Sequence, residues 1–165
     1  MIHAYGLFWD VEEIEWSPGH GTPFRMLGRI NQNKGTLRII DARFQRGIYI
    51  LYSNHGPHYV GLAKEQDLGI RIKQHLTDGH EDKWVRFSWF GFRKVLKGKD
   101  GNGFCKLAEV AETVSVAPNT VIQLIEGTLI RAMGLANKNQ MGFGEAKQWR
   151  QIKLAEQQTY LVKLE

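Results

Sequence analysis

Cysteine occurs once, at Cys105, and proline only four times in 165 residues. A single thiol excludes an internal disulfide framework and any zinc site built on paired cysteines, and it suits a reducing compartment. With so little proline and no serine-rich tract, nothing marks a linker or a low-complexity segment. No stretch reaches the roughly 18 consecutive apolar residues of a membrane-spanning helix. The opening Met1-Ile2-His3-Ala4-Tyr5-Gly6 lacks the basic cap and long apolar centre of an export signal. The expectation is a cytoplasmic chain with no membrane partner.

What is present is enough to fold. Hydrophobic residues make up 42% of the chain, too many for a disordered polymer, and the length suits one domain. Lysine and arginine total 22 against 17 acidic residues, and the resulting +5 favours a polyanionic partner such as nucleic acid. Residues 1–46 read as an extension packed on the main domain. They comprise an aromatic strand-like run at Tyr5–Trp9, an acidic cluster from Asp10 to Glu15, a turn-rich stretch from Ser17 to Pro23 and a further strand candidate at Leu37–Asp41.

Gly47-Ile48-Tyr49-Ile50-Leu51 and His58-Tyr59-Val60-Gly61-Leu62, separated by Ser53-Asn54-His55-Gly56-Pro57, predict a β-hairpin. Strand alternation puts Tyr49 with Leu51 and Tyr59 with Gly61, so both phenols can share a face. Leu68, Ile72 and Leu76 recur four apart, predicting a helix over Gln66–Thr77 with Arg71 and His75 stacked on the border of its apolar stripe. A long third strand is expected from Trp84 to Leu96, a loop at Lys97–Gly103 and a short helix around Leu107–Val114. The loop does not fit calcium, because its third ligand position falls on Phe104. Thr120 with Gln123 has the form of a capping box opening a helix that runs to about Met133 and stops at Gly134.

On that last helix Ile122, Ile125, Leu129, Ile130 and Met133 form the stripe expected to face the core, and Glu126 falls inside it. A carboxylate there requires an ion pair, a proton, a route to solvent or a metal. The imidazoles of His55, His58, His75 and His80 raise zinc, but a hairpin turn without cysteine partners argues against it. Trp84, Phe87 and Trp89 read as core and not as base-stacking platforms.

Two hairpin tyrosines, an arginine and a histidine on one helical face, and a later helix with an inward glutamate resemble the GIY-YIG nuclease family. The signature triplets stand as Gly47-Ile48-Tyr49 and Tyr59-Val60-Gly61. Arg71 and His75 match the family's helix residues, and Glu126 with Leu129-Ile130 matches its Glu-x-x-Leu-Ile helix. The family asparagine falls at Asn137 or Asn139, and the usual proline near the end of the glutamate helix is missing. A lysine that some members carry after the second triplet is Leu62 here, leaving Lys64 as its substitute.

The resemblance implies an α/β (α+β) fold: a small three-stranded antiparallel sheet flanked by helices over residues 47–144, preceded by the extension and followed by a tail at 145–165. It implies a metal-dependent DNA endonuclease, RNA not being excluded as substrate. Glu126 would hold Mg²⁺ or Mn²⁺, Tyr49 or Tyr59 would accept the proton of the attacking water, and Arg71 would promote this and bind the phosphate. His75 would hold a tyrosine or share the base role, and Asn137 would orient the substrate. Lys64, Arg86, Arg93, Lys94, Lys97 and Lys99 are the candidate backbone contacts. A homodimer would give double-strand cleavage. A catalytically inactive nucleic-acid-binding module and a protein-interaction scaffold are the alternatives.

Overall fold

The computed structural model describes residues 2–109, 118–134 and 146–165. The chain runs β1 (Ala4–Asp10), β2 (Leu27–Ile30), β3 (Arg38–Asp41), β4 (Gly47–Ser53), β5 (Gly56–Ala63), α1 (Leu68–Gln74), β6 (Arg86–Gly91), β7 (Val95–Lys99), β8 (Cys105–Leu107), α2 (Pro118–Ala132), β9 (Lys147–Gln148), β10 (Arg150–Gln151) and α3 (Gln157–Leu161). It is a mixed α/β fold with several sheets and few helices. Among the described residues no helix is long and apolar enough to cross a membrane.

β4 and β5 pair as the expected hairpin, with Tyr49 opposite Gly61 and Leu51 opposite Tyr59, and β6 lies antiparallel on the other side of β4. The sheet does not stop at three strands. Its order is β5-β4-β6-β1-β9, because β1 pairs antiparallel with β6 and β9 parallel with β1. Residues 1–46 are therefore no appendage, and the tail is no free end: both supply strands to the main sheet. They also build the second sheet, in which β10 pairs with β2 and β2 with β3.

The two glycines of the hairpin triplets have steric reasons. Gly47 has φ +152, and a methyl there would run into the Phe90 carbonyl. A methyl on Gly61 would coincide with the Tyr49 ring, which lies across that glycine. Bare backbone at residue 61 is what lets the phenol lie flat on the neighbouring strand.

Strand alternation sorts the core into two faces. Tyr49, Leu51, Phe87, Trp89 and Trp9 pack on one face with Leu68 and Ile72 of α1 and with Met26, Ile40 and Trp149. Ile50, Tyr52, Phe90 and Tyr5 pack on the other with Ala132 of α2. A third cluster, including Leu27, Ile39, Phe104, Ile152 and Tyr160, lies around the second sheet and α3.

Several expectations are corrected here. The third strand ends at Gly91: the Phe92 amide makes a last bond in register to the Arg46 carbonyl, and beyond it the buried Gln45 side chain, not a strand, takes the Arg93 amide and carbonyl at 3.1 and 3.0 Å. The segment from Lys97 is the second half of β7 and a turn, in which Asp100 Oδ1 accepts from the amides of Asn102 and Phe104. Leu107 ends a strand and does not begin a helix. Ala108 and Glu109 are not helical either, and residues 110–114 of that expected helix lie outside the described residues.

α2 runs Pro118–Ala132 and meets its expected stop at Gly134, whose φ is +65; it begins two residues before Thr120, so Thr120 lies within the first turn and is not the expected cap. Its stripe is not the buried one. Ile130 is 6% exposed, but Ile125, Leu129 and Met133 are 56%, 55% and 60% exposed. Ile125 and Leu129 border an apolar groove of about 270 Å³ with Ile48, Ile50 and Val60. A helical wheel finds the apolar side but not how tightly a sheet closes against it.

Candidate active site and metal centre

β4 and β5 deliver the phenols, and α1 delivers the cation and the imidazole. Tyr49 is fully buried; its Oη stands 2.7 Å from His75 Nε2. His75 caps the C-terminal end of α1 and is 1% exposed, and its Nδ1 lies 2.7 Å from Asp78 Oδ2. With the carboxylate accepting from Nδ1–H, Nε2 is the acceptor and the Tyr49 hydroxyl is the donor. A buried imidazole thus has both nitrogens satisfied, as burial of a polar ring demands.

The Tyr59 ring is half-buried, 6.2 Å from that of Tyr49 and 4.9 Å from that of His75. Arg71, half-buried, donates from Nη1 to Gln74 Oε1 at 2.9 Å, and its charge acts on Tyr49. So four of the expected site residues, Tyr49, Tyr59, Arg71 and His75, come together on one sheet face.

The electrostatics differ from expectation in one respect. Burial pushes the Tyr49 phenol up to about 12, outweighing the Arg71 guanidinium that would lower it. Burial also lowers His75, against the Asp78 hydrogen bond and charge that raise it, so the ring prefers to be neutral. Burial pushes the Asp78 carboxyl up, but the His80 amide, the His75 hydrogen bond and the two imidazole charges together outweigh it and hold the carboxyl below the ordinary range.

Three further residues join this site: His58 and His80, which the sequence raises for zinc and argues against, and Asp78, to which it gives no role. Asp78 and His80 lie in the turn after α1, where Asp78 Oδ1 accepts the His80 amide at 2.8 Å. His80 Nδ1 meets His58 Nε2 at 3.1 Å, and the His80 ring lies 4.5 Å from Tyr59 and 5.1 Å from His75. His58 should point away from Tyr59 by alternation. The ladder slips at this point, Leu51 facing Tyr59 and Tyr52 facing Pro57, so His58 is the extra residue of a β-bulge. Bulges re-aim a side chain, and here the slip returns an imidazole to the tyrosine side. Pro57, which cannot donate to a ladder, was the one available signal.

Glu126 lies on α2 as expected, and its side chain is outside the described residues. The described α2 side chains Val121, Leu124, Ile125 and Leu129 line the groove with Ile48 and Ile50, which alternate with Tyr49 and so belong to the opposite sheet face. Asn137 and Asn139 lie outside the described residues. At the tyrosine face the donors are imidazoles and one carboxylate, unlike the all-oxygen shell that magnesium prefers. The described residues there do not fit a magnesium site.

The expected backbone contacts divide. Arg93 is committed to the fold: its guanidinium donates to the carbonyls of Ala108 and Phe44 and to Glu109. Arg86 pairs with Asp10 at 3.4 Å. Lys64, Lys94, Lys97 and Lys99 are exposed. Lys94 borders a small basic hollow with His3, Arg38 and Lys147. Comparison with known protein families, with curated proteins and with solved structures finds no match.

Proposed function

We propose that this chain is a cytoplasmic phosphodiester hydrolase of GIY-YIG type that cuts DNA. The observation that carries the reading is the convergence of Tyr59, Tyr49, His75 and Asp78 in one line of contacts beside Arg71. Hydrolysis of a phosphodiester needs a water stripped of a proton and a cation on the non-bridging oxygens. Tyr49 is buried and poorly acidic, so it does not meet water itself. Tyr59 is the phenol at the open side, and it takes the water's proton as its own passes to Tyr49 and the Tyr49 proton passes to His75 Nε2. Asp78 then compensates the imidazolium. Arg71, at the same opening, holds the phosphate as charge builds, and as the water oxygen bonds to phosphorus the bond to the 3′ oxygen breaks, the departing alkoxide taking a proton from solvent.

Dependence on Mg²⁺ or Mn²⁺ held by Glu126 is part of the same proposal. The test is cleavage of supercoiled plasmid and of single-stranded, duplex, branched and RNA oligonucleotides with either ion. Arg71→Gln and Tyr59→Phe should each lose about 10²- to 10⁴-fold in rate, and Glu126→Ala should abolish the dependence on added metal. Wild-type rates in Arg71→Gln, or no cleavage of any substrate, would overturn the reading.

A further inference from the structure

We propose that His75, Asp78 and His80 form a binding site for one divalent transition metal of the zinc class, at the mouth of the tyrosine cluster. Each residue offers one donor atom, and these atoms lie within 4.8 Å of one another. Around a zinc ion with bonds of about 2.0–2.2 Å, tetrahedral ligand atoms stand roughly 3.3–3.6 Å apart. Asp78 Oδ2, now 2.7 Å from His75 Nδ1, must move out by about 0.6–0.9 Å and the widest pair must close by at most about 1.5 Å; Asp78 and His80 can supply both shifts, because Asp78 is exposed and His80 half-exposed on a turn. The third donor, His75, is fixed in the core.

Metal-binding histidines typically hold their other ring nitrogen in a hydrogen bond, which sets the tautomer and aims the ligating lone pair. Both imidazoles already have such a partner in place. His75 Nε2 lies 2.7 Å from Tyr49 Oη, so a metal that displaces the Nδ1 proton shifts the tautomer, Nε2–H then donating to the phenol oxygen while Nδ1 ligates beside Asp78. His80 Nδ1 is engaged by His58 at 3.1 Å, which leaves Nε2. The Asp78 carboxylate is oriented in turn by the His80 amide on its other oxygen.

Two imidazoles and a carboxylate select zinc, cobalt, nickel or copper over magnesium and calcium, which want oxygen alone. His58 acts as a positioning residue, and its place on a β-bulge is what brings it there. The inference stands on this geometry and not on the hydrolase reading. The two do bear on each other: a metal on His75 Nδ1 and Asp78 takes the groups that the proton relay uses, so zinc should compete with cleavage.

The untagged full chain, stripped with a chelator, is titrated with Zn²⁺ by calorimetry and with Co²⁺ by visible absorption. One equivalent of each should bind, Co²⁺ giving the intense bands of a tetrahedral nitrogen-oxygen site. His80→Ala should remove saturable binding, and His58→Gln should weaken it by about 10- to 100-fold. Glu126→Ala should bind as wild type does. Both histidines lie toward solvent, and a wild-type circular dichroism spectrum checks that each variant folds; His80→Gln replaces any His80→Ala preparation that does not. Absence of saturable binding, or unchanged affinity in the His80 variant, overturns the proposal. Zinc binding without nuclease activity would overturn only the hydrolase reading, and cleavage without zinc binding only this one.

Discussion

Gly61→Ala is the sharpest probe of the tyrosine geometry, because the added methyl would occupy the place of the Tyr49 ring. Tyr49 is held below by Gly61 and at its tip by His75 Nε2, and it is fully buried, so the ring cannot simply swing away. Overpacking of this kind costs about 1–3 kcal/mol. For a domain of about 150–250 residues that corresponds to a fall in Tm of roughly 2–12 °C. Tyr49→Ala alone should cost about 3–5 kcal/mol, as the loss of a large core aromatic does. In that background the methyl has room, so Gly61→Ala should then cost almost nothing.

Urea denaturation of wild type, both single variants and the double variant gives the coupling, which should be at least about 1 kcal/mol in the relieving direction. Gly47→Ala serves as control: its methyl would meet the Phe90 carbonyl at a φ of +152, a clash that Tyr49→Ala does not relieve. If the Gly61 and Tyr49 costs add within about 0.5 kcal/mol, the ring does not lie over that glycine, and the line of contacts from Tyr59 to Asp78 is wrong.

The two phenols should also separate by assay. Tyr49→Phe leaves His75 Nε2 without a partner in the core and should cost about 1–3 kcal/mol of stability, whereas Tyr59→Phe should stay within about 0.5 kcal/mol of wild type while losing cleavage. Arg93→Ala should destabilise the chain, because three of its contacts join separate segments, and should leave the salt dependence of DNA affinity unchanged. Lys94→Ala should do the opposite, lowering the salt slope by about one. Burial raises the Asp41 carboxyl, against the Met26 and Arg43 amides and the Arg43 and Arg25 charges that lower it. The folded chain therefore holds this proton more tightly than the unfolded one. The stability it lends is present below the ordinary carboxylate value and lost as pH rises through the folded value. Relative to wild type, the urea midpoint of Asp41→Asn should accordingly improve between about pH 4 and pH 7.

The parts of the fold legible in the sequence are those fixed by neighbours along the chain. The β4–β5 hairpin follows from two β-rich runs around a turn. The buried side of α1 follows from Leu68 and Ile72, and the stop of α2 from a glycine that can take positive φ. Pairing of β1 with β6 joins residues some eighty positions apart, and no local pattern announces it. Tyr5–Trp9 looks like any aromatic run until Trp9 and Trp89 are found edge to face at 5.4 Å. Within the site the same division holds. Tyr49, Tyr59, Arg71 and His75 keep the periodicity of their elements and could be placed from it. His58 could not, because a bulge reverses its side, nor could Asp78 and His80, which sit in a turn where no period applies. The stripe on α2 was legible as apolar, but whether it is sealed depends on the shape of the sheet opposite.

A buried imidazole between a phenol and a carboxylate is also a sound piece of packing, so the Tyr49–His75–Asp78 contacts alone do not argue for chemistry. Every polar atom in that line is satisfied, and a fold could retain it for that reason. What exceeds the needs of packing lies on the open side. Tyr59 adds a second phenol against the same ring, and Arg71 places a guanidinium beside Tyr49. His58 and His80 bring two more imidazoles to a half-exposed turn. Solvating each of these separately would satisfy it as well, and gathering cationic and ionisable side chains within a few ångströms costs free energy through repulsion and lost side-chain freedom. A ligand carrying negative charge at Arg71, or positive charge at the imidazoles, reverses that cost. It is the joining of that exposed rim to the buried line from Tyr49 to Asp78 that exceeds what packing needs, the line keeping the rim in place and giving its protons a path.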